Sequence, residues 1–315
     1  MNASVDPRSG SGAALTPPAL KQRIVEFARG SSTEISPHDE GLIAELAGIV
    51  PARTTVYVAH TPKASIGEVV RIAAKVQAAG LRASPHIVAR RIESRQVLRQ
   101  ALREVRDAGI EQVLLVAGDR NPPAGEFTST LEILDSGAIT DAGLANVGVA
   151  GHPEGHPAVS QEVLWSALKT KQAFAERTGL KLHICTQFSF NPAAVEAWDQ
   201  RLSEHGIRLP VHIGIAGPTP LPKLIKFAMM CGIGNSLGAL GKGMALMGRV
   251  AGLAMSPDEM LIELARSTAT RSGTHLVHPH VYAFGGVIAT ARWLRAVIDG
   301  AFELDEGGEK FTVRA

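Results

Sequence analysis

Runs of β-branched and aliphatic residues recur along this chain, and a stretch with helical spacing of apolar positions follows most of them. The runs Ser32–Ser36, Thr54–His60, Leu81–Val88, Gln112–Ala117, Asn146–Gly151, Lys181–Phe190, Leu209–Ile215 and His275–Phe284 predict strands. Between them, Glu68–Ala79 sets Val69, Ile72, Ala73 and Val76 on one helical face, and Glu162–Arg177 and Ala193–His205 repeat that spacing. Gly80, Gly109, Gly179 and Gly206 each follow a helical stretch and precede a strand, where a left-handed C-cap is needed. Eight strands alternating with helices predict an α/β fold of the (β/α)8 TIM barrel type rather than an open sheet. The connection between the seventh and eighth strands is roughly 60 residues, so it is expected to hold structure of its own, including a helix near Pro257–Arg271.

The 315 residues suit one barrel domain, expected over 19–315, because such a barrel takes about 250. Residues 1–18 are rich in Ser, Gly, Ala and Pro and lack an apolar core, which predicts a disordered tail rather than a signal peptide. A net charge of +2, from 32 basic and 30 acidic residues spread along the chain, offers no footprint for nucleic acid or an anionic membrane surface. No run approaches 18 consecutive apolar residues, so no transmembrane helix is expected. Cys185 and Cys231 both sit in apolar stretches, which fits reduced thiols in a cytoplasmic protein, and a homo-oligomer is compatible with the sequence.

The most informative segment is Gly148-Val-Ala-Gly-His-Pro-Glu-Gly-His-Pro157. A short apolar run breaks at Pro153 into a loop carrying His152, Glu154 and His156, a polar cluster at a strand end. In parallel α/β folds that end is where ligands sit, although a loop of solvated histidines has the same local pattern. The other strand ends are polar too: Glu34, His60, His86, Gly118-Asp119, Gln187, and finally His278 and His280. Singly, each could be a solvated loop residue, a helix cap or a hydrogen-bonded barrel residue. The glycine-rich stretch Cys231–Gly243 follows the helical stretch Leu221–Met230 rather than a strand, so it fails the context of a dinucleotide fingerprint and suits a connector.

Taken in order, Glu34 before Pro37, Pro85-His86, Gly118-Asp119, the loop at 152–157 and Thr186-Gln-Phe-Ser-Phe190 resemble the methylenetetrahydrofolate reductase family. The resemblance runs from about residue 30 to 230. It implies a TIM barrel that binds FAD and interconverts methylene- and methyltetrahydrofolate, with NAD(P)H as co-substrate. It implies that Glu34 is the general acid that protonates folate N10, that Asp119 lies near both flavin and pterin, and that Gln187 binds the pterin. His60, His86, Gly118, His152 and His156 then match positions around the flavin, and Lys171 matches a lysine that meets its pyrophosphate. A general acid must hold its proton near neutral pH, and partial burial shifts a carboxyl in that direction.

The departures are specific. The family's Arg-Gly-Asp is Ala117-Gly118-Asp119 here, its Tyr-Pro-Glu aromatic is His152, its Thr-Tyr pair is Ala59-His60, and an arginine near the last strand is replaced by Gly286. Each removes a polar contact of about 1–3 kcal/mol, which leaves open a flavin-free enzyme in which a nicotinamide passes hydride directly to folate. Two further readings stay open. Histidines 152, 156, 278 and 280 with Glu154 could serve a metal-dependent lyase or hydrolase, although no His-Glu-x-x-His or Cys-x-x-Cys pairing fixes a geometry. A folate-binding methyltransferase barrel would keep Asp119 and Gln187 and need no flavin.

Overall fold

Strict alternation of apolar and polar positions within the short runs decides which side of each strand is buried against helices. The computed structural model of the chain describes residues 15–220, 222–224, 227, 254–255 and 257–314. The glycine-rich stretch 231–243 and Cys231 lie outside the described residues, as do residues 1–14 of the expected tail. Helix α1 (Pro17–Ala28) starts inside the stretch expected as tail, with prolines in its first turn, and buries Leu20, Ile24, Phe27 and Ala28.

The barrel strands are β1 (Ser32–Ile35), β2 (Thr55–Val58), β3 (Arg82–Val88), β4 (Gln112–Val116), β5 (Asn146–Gly151), β6 (Lys181–Phe188), β7 (Val211–Ala216) and β8 (Leu276–Tyr282). Each pairs in parallel with its sequence neighbours and β8 closes on β1, giving the closed eight-stranded TIM barrel that the pattern predicts. Several strands stop one or two residues short of the predicted ends because the end residues are taken into loops. Ser36, for example, leaves β1 to donate from both its backbone N and its Oγ to the Asp39 carboxylate, at 2.8 and 2.7 Å. Gly80, Gly109, Gly179 and Gly206 all have positive φ, between 70° and 84°, as their predicted cap positions require.

Among the outer helices, which include α2 (Ile43–Ile49), α4 (Arg95–Asp107), α5 (Thr130–Asp135) and α6 (Ala138–Asp141), α3 (Ile66–Ala78) is capped by Ser65, whose Oγ accepts from Glu68 N, and it buries the predicted Val69, Ile72, Ala73 and Val76. Helices α7 (Gln161–Thr178), α8 (Pro192–Glu204) and α9 (Asp258–Thr270) flank β6, β7 and β8. Outward strand residues such as Ile35, Val58, Ile87, Leu115, Val149 and Ile213 pack beneath these helices in one continuous core. Burial of each such side chain stabilises the fold by about 1.5–3 kcal/mol. Asp199 of α8, buried, accepts from Thr274 Oγ1 and His275 N at 2.9 Å and pairs with Arg271 at 3.2 Å, fixing the entry to β8. Among the described residues no helix is long and apolar enough to cross a membrane.

The inside of the barrel is unusual, because such interiors are mostly branched aliphatic residues. Here the inward positions include Tyr57, His183, Cys185, His212, His278 and His280. Tyr57 Oη and His183 Nε2 are hydrogen bonded at 3.0 Å, and Ser32 Oγ and His280 Nδ1 at 2.9 Å. The rings of His183, His212 and His278 stack in a column, with centroids 4.2 and 4.0 Å apart. Two glycines make room for them. A Cβ on Gly148 would stand 2.8 Å from His183 Nε2, and one on Gly30 would stand 2.6 Å from His278 Cδ2.

Candidate active site

Alternation along β1 turns Thr33 and Ile35 outward and Glu34 into the barrel, next to Tyr57, its register partner on β2. Burial pushes the Glu34 carboxyl up to about 8, and the nearby Asp39 carboxylate adds to the shift. Glu34 therefore carries a proton at neutral pH. The Cys185 thiol behind it is pushed up by burial and by the charge of Glu34, so it is a thiol rather than a thiolate.

At the ends of β2 and β3, His60 and His86 meet. Burial brings His60 down to about 4, with the Arg91 guanidinium adding to it, and burial brings His86 down to about 3, with His60 adding. Both rings are neutral. His60 Nδ1 and His86 Nε2 are buried and have no hydrogen-bond partner among the described residues. Buried polar atoms nearly always find a partner, so two orphans at neighbouring strand ends mark a place for a ligand's polar edge.

After β4 the chain turns at Gly118, with φ +83°, where a Cβ would stand 2.3 Å from Val88 Cγ1; only glycine lets the backbone pass there. The turn places Asp119 on an exposed loop, with Arg91 Nη2 3.2 Å from its Oδ1. The loop after β5 carries His152, brought down to about 4 by burial, with His156 and Lys171 adding to the shift. The rings of His152 and the exposed His156 lie 5.2 Å apart at 90°. Glu154 accepts from Ser189 Oγ at 2.6 Å, which ties this loop to the end of β6. Lys171 of α7 is buried, with burial lowering its ammonium to about 8, and it makes no hydrogen bond or ion pair among the described residues. A buried cation beside two imidazoles is suited to an anionic group.

Gln187 is half-buried near the end of β6, where the pairing with β7 shifts register between Cys185 and Phe188. Beside it Phe188, Phe190, Tyr282 and Phe284 form an aromatic wall, and Tyr282 Oη donates to the Thr186 carbonyl at 2.9 Å. The predicted residues lie at three places along the C-terminal ends of the strands: Glu34 on β1 and Gln187 on β6, His60, His86, Gly118 and Asp119 at β2 to β4, and His152, His156 and Lys171 at β5 and the helix after it. His278 does not join them, whereas His280 lies beneath them with its ring 4.7 Å from that of Tyr57 and close enough to His86 to bear on its charge. Both histidines lie inside the barrel, below the strand ends, because inward-facing β8 positions are occupied there by imidazoles instead of aliphatic residues. Among the described residues no three His, Cys, Asp or Glu side chains converge as metal ligands, so the four-histidine arrangement considered for a lyase is not formed.

Tyr57, His183, His212 and Arg91 are the contributors that motif reasoning passes over. A signal existed for His183: it shares the period-two face of Cys185. For Arg91 there was none, since its role depends on two loops meeting.

Two solved structures align with much of the chain. Dihydropteroate synthase (FolP) from Thermus thermophilus is 14% identical, with a TM-score of 0.41, over 84% of this chain and 91% of that one. A phosphonomutase described as putative from Burkholderia cenocepacia J2315 is 15% identical, with a TM-score of 0.42, over 64% and 83%. The family profile described as methylenetetrahydrofolate reductase matches residues 52–235. That match spans more than half of the sequence, from β2 past β7, and contains every strand end described above except that of β1 and β8. The chain belongs to the methylenetetrahydrofolate reductase family, a family of folate-linked oxidoreductases.

Proposed function

We propose that the protein interconverts 5,10-methylenetetrahydrofolate and 5-methyltetrahydrofolate with NAD(P)H as the hydride source, FAD at the barrel mouth and Glu34 as general acid, in the cytoplasm. The observation that carries this reading is the protonated, inward-facing Glu34 at the end of β1. In the reductive direction the Glu34 carboxyl gives its proton to folate N10 as the bond between N10 and the methylene carbon breaks, its electron pair staying on nitrogen. The methylene carbon becomes an iminium with N5, and hydride closes it to a methyl group while the nicotinamide is oxidised. Glu34 is left as a carboxylate and recovers its proton before the next turnover.

The residues present fit a flavin. The orphaned His60 Nδ1 and His86 Nε2 suit the polar edge of a planar ring, the Gly118 turn lets such a ring approach the backbone, and the unpaired Lys171 with His152 suits a pyrophosphate. Bound there, FAD supplies hydride transfer between nicotinamide and folate. Gln187 and Asp119 hold the pterin, the amide donating and accepting at once. In a second reading, favoured by Ala117 and the exposure of Asp119, the nicotinamide passes hydride to folate directly in the same mouth.

Purified protein titrated with FAD and assayed for folate-dependent NAD(P)H oxidation tests both. Quenching of flavin fluorescence with flavin-stimulated turnover supports the first reading; turnover that ignores FAD supports the second; no turnover with either nicotinamide ends the proposal. Lys171→Met is expected to weaken FAD about tenfold, because one charge-assisted contact to phosphate is lost, about 1.4 kcal/mol. A Kd within twofold of wild type would place the pyrophosphate elsewhere. Gln187→Ala leaves the pterin edge unsatisfied, at about 1–3 kcal/mol, so folate KM should rise roughly tenfold with little change in flavin Kd. Unchanged KM removes Gln187 from the folate site.

A further inference from the structure

Arg91 sits in the short 3-10 turn Ala89–Arg91 that follows β3, outside every motif used above. Its side chain is only 13% exposed, yet it connects two other strand ends. One terminal nitrogen donates to the backbone carbonyl of His60, just after β2, and the other to the Asp119 carboxylate, after β4. Its neighbours serve the same loop. Arg90 Nε donates to the Thr128 carbonyl at 3.1 Å, and Arg95 pairs with Glu126 at 2.6 Å. Backbone bonds join Arg90 N to Ala117 O and Ala124 N to Arg90 O, at 3.0 and 2.9 Å. The backbone of the 117–128 loop is therefore held by several contacts, whereas Arg91 is the group that reaches the Asp119 carboxylate itself.

We infer that Arg91 is a positioning residue of the site: its planar fork ties the Asp119 carboxylate after β4 to the His60 carbonyl after β2 and holds that carboxylate toward the mouth. Its charge adds to the burial that disfavours protonation of the neighbouring His60 ring. The inference rests on the reading that Asp119 meets the folate. A guanidinium can hold a carbonyl and a carboxylate in one plane and still has donors left, which an ammonium on a flexible stem does not reproduce. The side chain of Asp119 is 88% exposed, so without this partner its carboxylate would sample many rotamers before each binding event. The groups that bear on His60 are Arg91, the His86 ring and the backbone carbonyl of Ala64, which accepts from the imidazole. Of these only Arg91 carries a positive charge at neutral pH.

Two variants separate the two parts of the claim. Arg91→Lys keeps the charge and loses the fork; Arg91→Gln loses the charge. Each is expected to raise the Kd for tetrahydrofolate, measured by calorimetry on the full chain, about tenfold. The His60 ring, followed by NMR from pH 3 to 8, should titrate near its wild-type value in Arg91→Lys. In Arg91→Gln it should titrate higher, but still below an ordinary histidine, since burial, the larger cause, remains. A general loss of structure would not split the two variants in this way. If wild-type protein binds tetrahydrofolate and both variants bind it within twofold, or if His60 titrates alike in all three, the inference is overturned. Wild-type protein that binds no tetrahydrofolate overturns the functional reading and this inference with it. Where Arg91→Gln fails to fold, Arg91→Lys with its folate Kd and unmoved His60 still decides the outcome.

Discussion

Glu34→Gln is expected to lower turnover of methylenetetrahydrofolate by about 10²–10⁴-fold, the usual contribution of general acid catalysis. Glutamine keeps the shape and the hydrogen-bonding edge of the side chain but has no acidic proton, so folate N10 leaves as an unprotonated amide-like anion or does not leave at all. The same variant should still let a nicotinamide reduce any bound flavin at a near wild-type rate, because that half-reaction moves no proton to folate. Stopped-flow absorbance of the two half-reactions measures both. A loss below about fivefold in the folate step, far under the usual general-acid contribution, would take Glu34 out of the mechanism. Equal loss of both half-reactions in a folded variant would do the same. The pH profile is a second reading of the same group. Burial raises Glu34 to about 8, so its acid form is present below that pH and is lost above it. For wild-type enzyme, kcat/KM in the reductive direction should therefore fall tenfold per unit above about pH 8.

The barrel was legible because its two periodicities were clean. Val56 and Val58, or Val147 and Val149, alternate with inward residues, and each glycine cap sits where a helix must turn into the next strand. Glu34 was singled out through the resemblance rather than the periodicity, since a carboxylate near a strand end reads equally well as a solvated loop residue or a cap; the structure puts it on the inward face of β1, half-buried beside Tyr57. The contents of the barrel were harder to read. His183 and His212 fall on inward positions of β6 and β7, but sequence alone does not say that three imidazoles stack there. That depends on Gly148 on β5 and Gly30 in the turn before β1 leaving space. His278 and His280 were read with the strand-end groups although the predicted strand already ran past them to Phe284; the strand ends at Tyr282, and both rings lie within it. The link from Arg91 to Asp119 was not legible at all, since it spans 28 positions and needs both loop conformations.

The same buried histidines should make the protein acid-labile well above the range where carboxylates normally titrate. Burial holds His86 and His280 at about 3 and His183 and His278 at about 4, and lowers His212 further under the added repulsion of its neighbours. The folded barrel thus keeps these rings neutral, while the unfolded chain protonates them below the ordinary value near 6.5. A histidine with a depressed folded pKa contributes stability that is complete above about pH 6.5 and is lost as pH falls toward about 4. By pH 5.5 each ring costs about 1.4 kcal/mol, and the four with values near 3 or 4 together cost about 5 kcal/mol. Glu34 works in the opposite sense: its raised carboxyl costs the folded state less as pH falls, which returns about 2.5 kcal/mol between pH 7.5 and 5.5 and leaves a net loss of about 3 kcal/mol. Total stabilities of single domains are about 5–15 kcal/mol, so the loss is a large share of what holds the fold. The melting temperature by circular dichroism should drop about 6–12 °C between pH 7.5 and 5.5, at roughly 2–4 °C per kcal/mol for a chain of this size. His280→Asn, which keeps a polar partner for Ser32 Oγ and removes one titrating ring, should flatten that slope even if it lowers the melting temperature at pH 7.5. A melting temperature that stays within about 3 °C over this pH range would mean that the imidazoles are already charged, or solvated, inside the folded barrel.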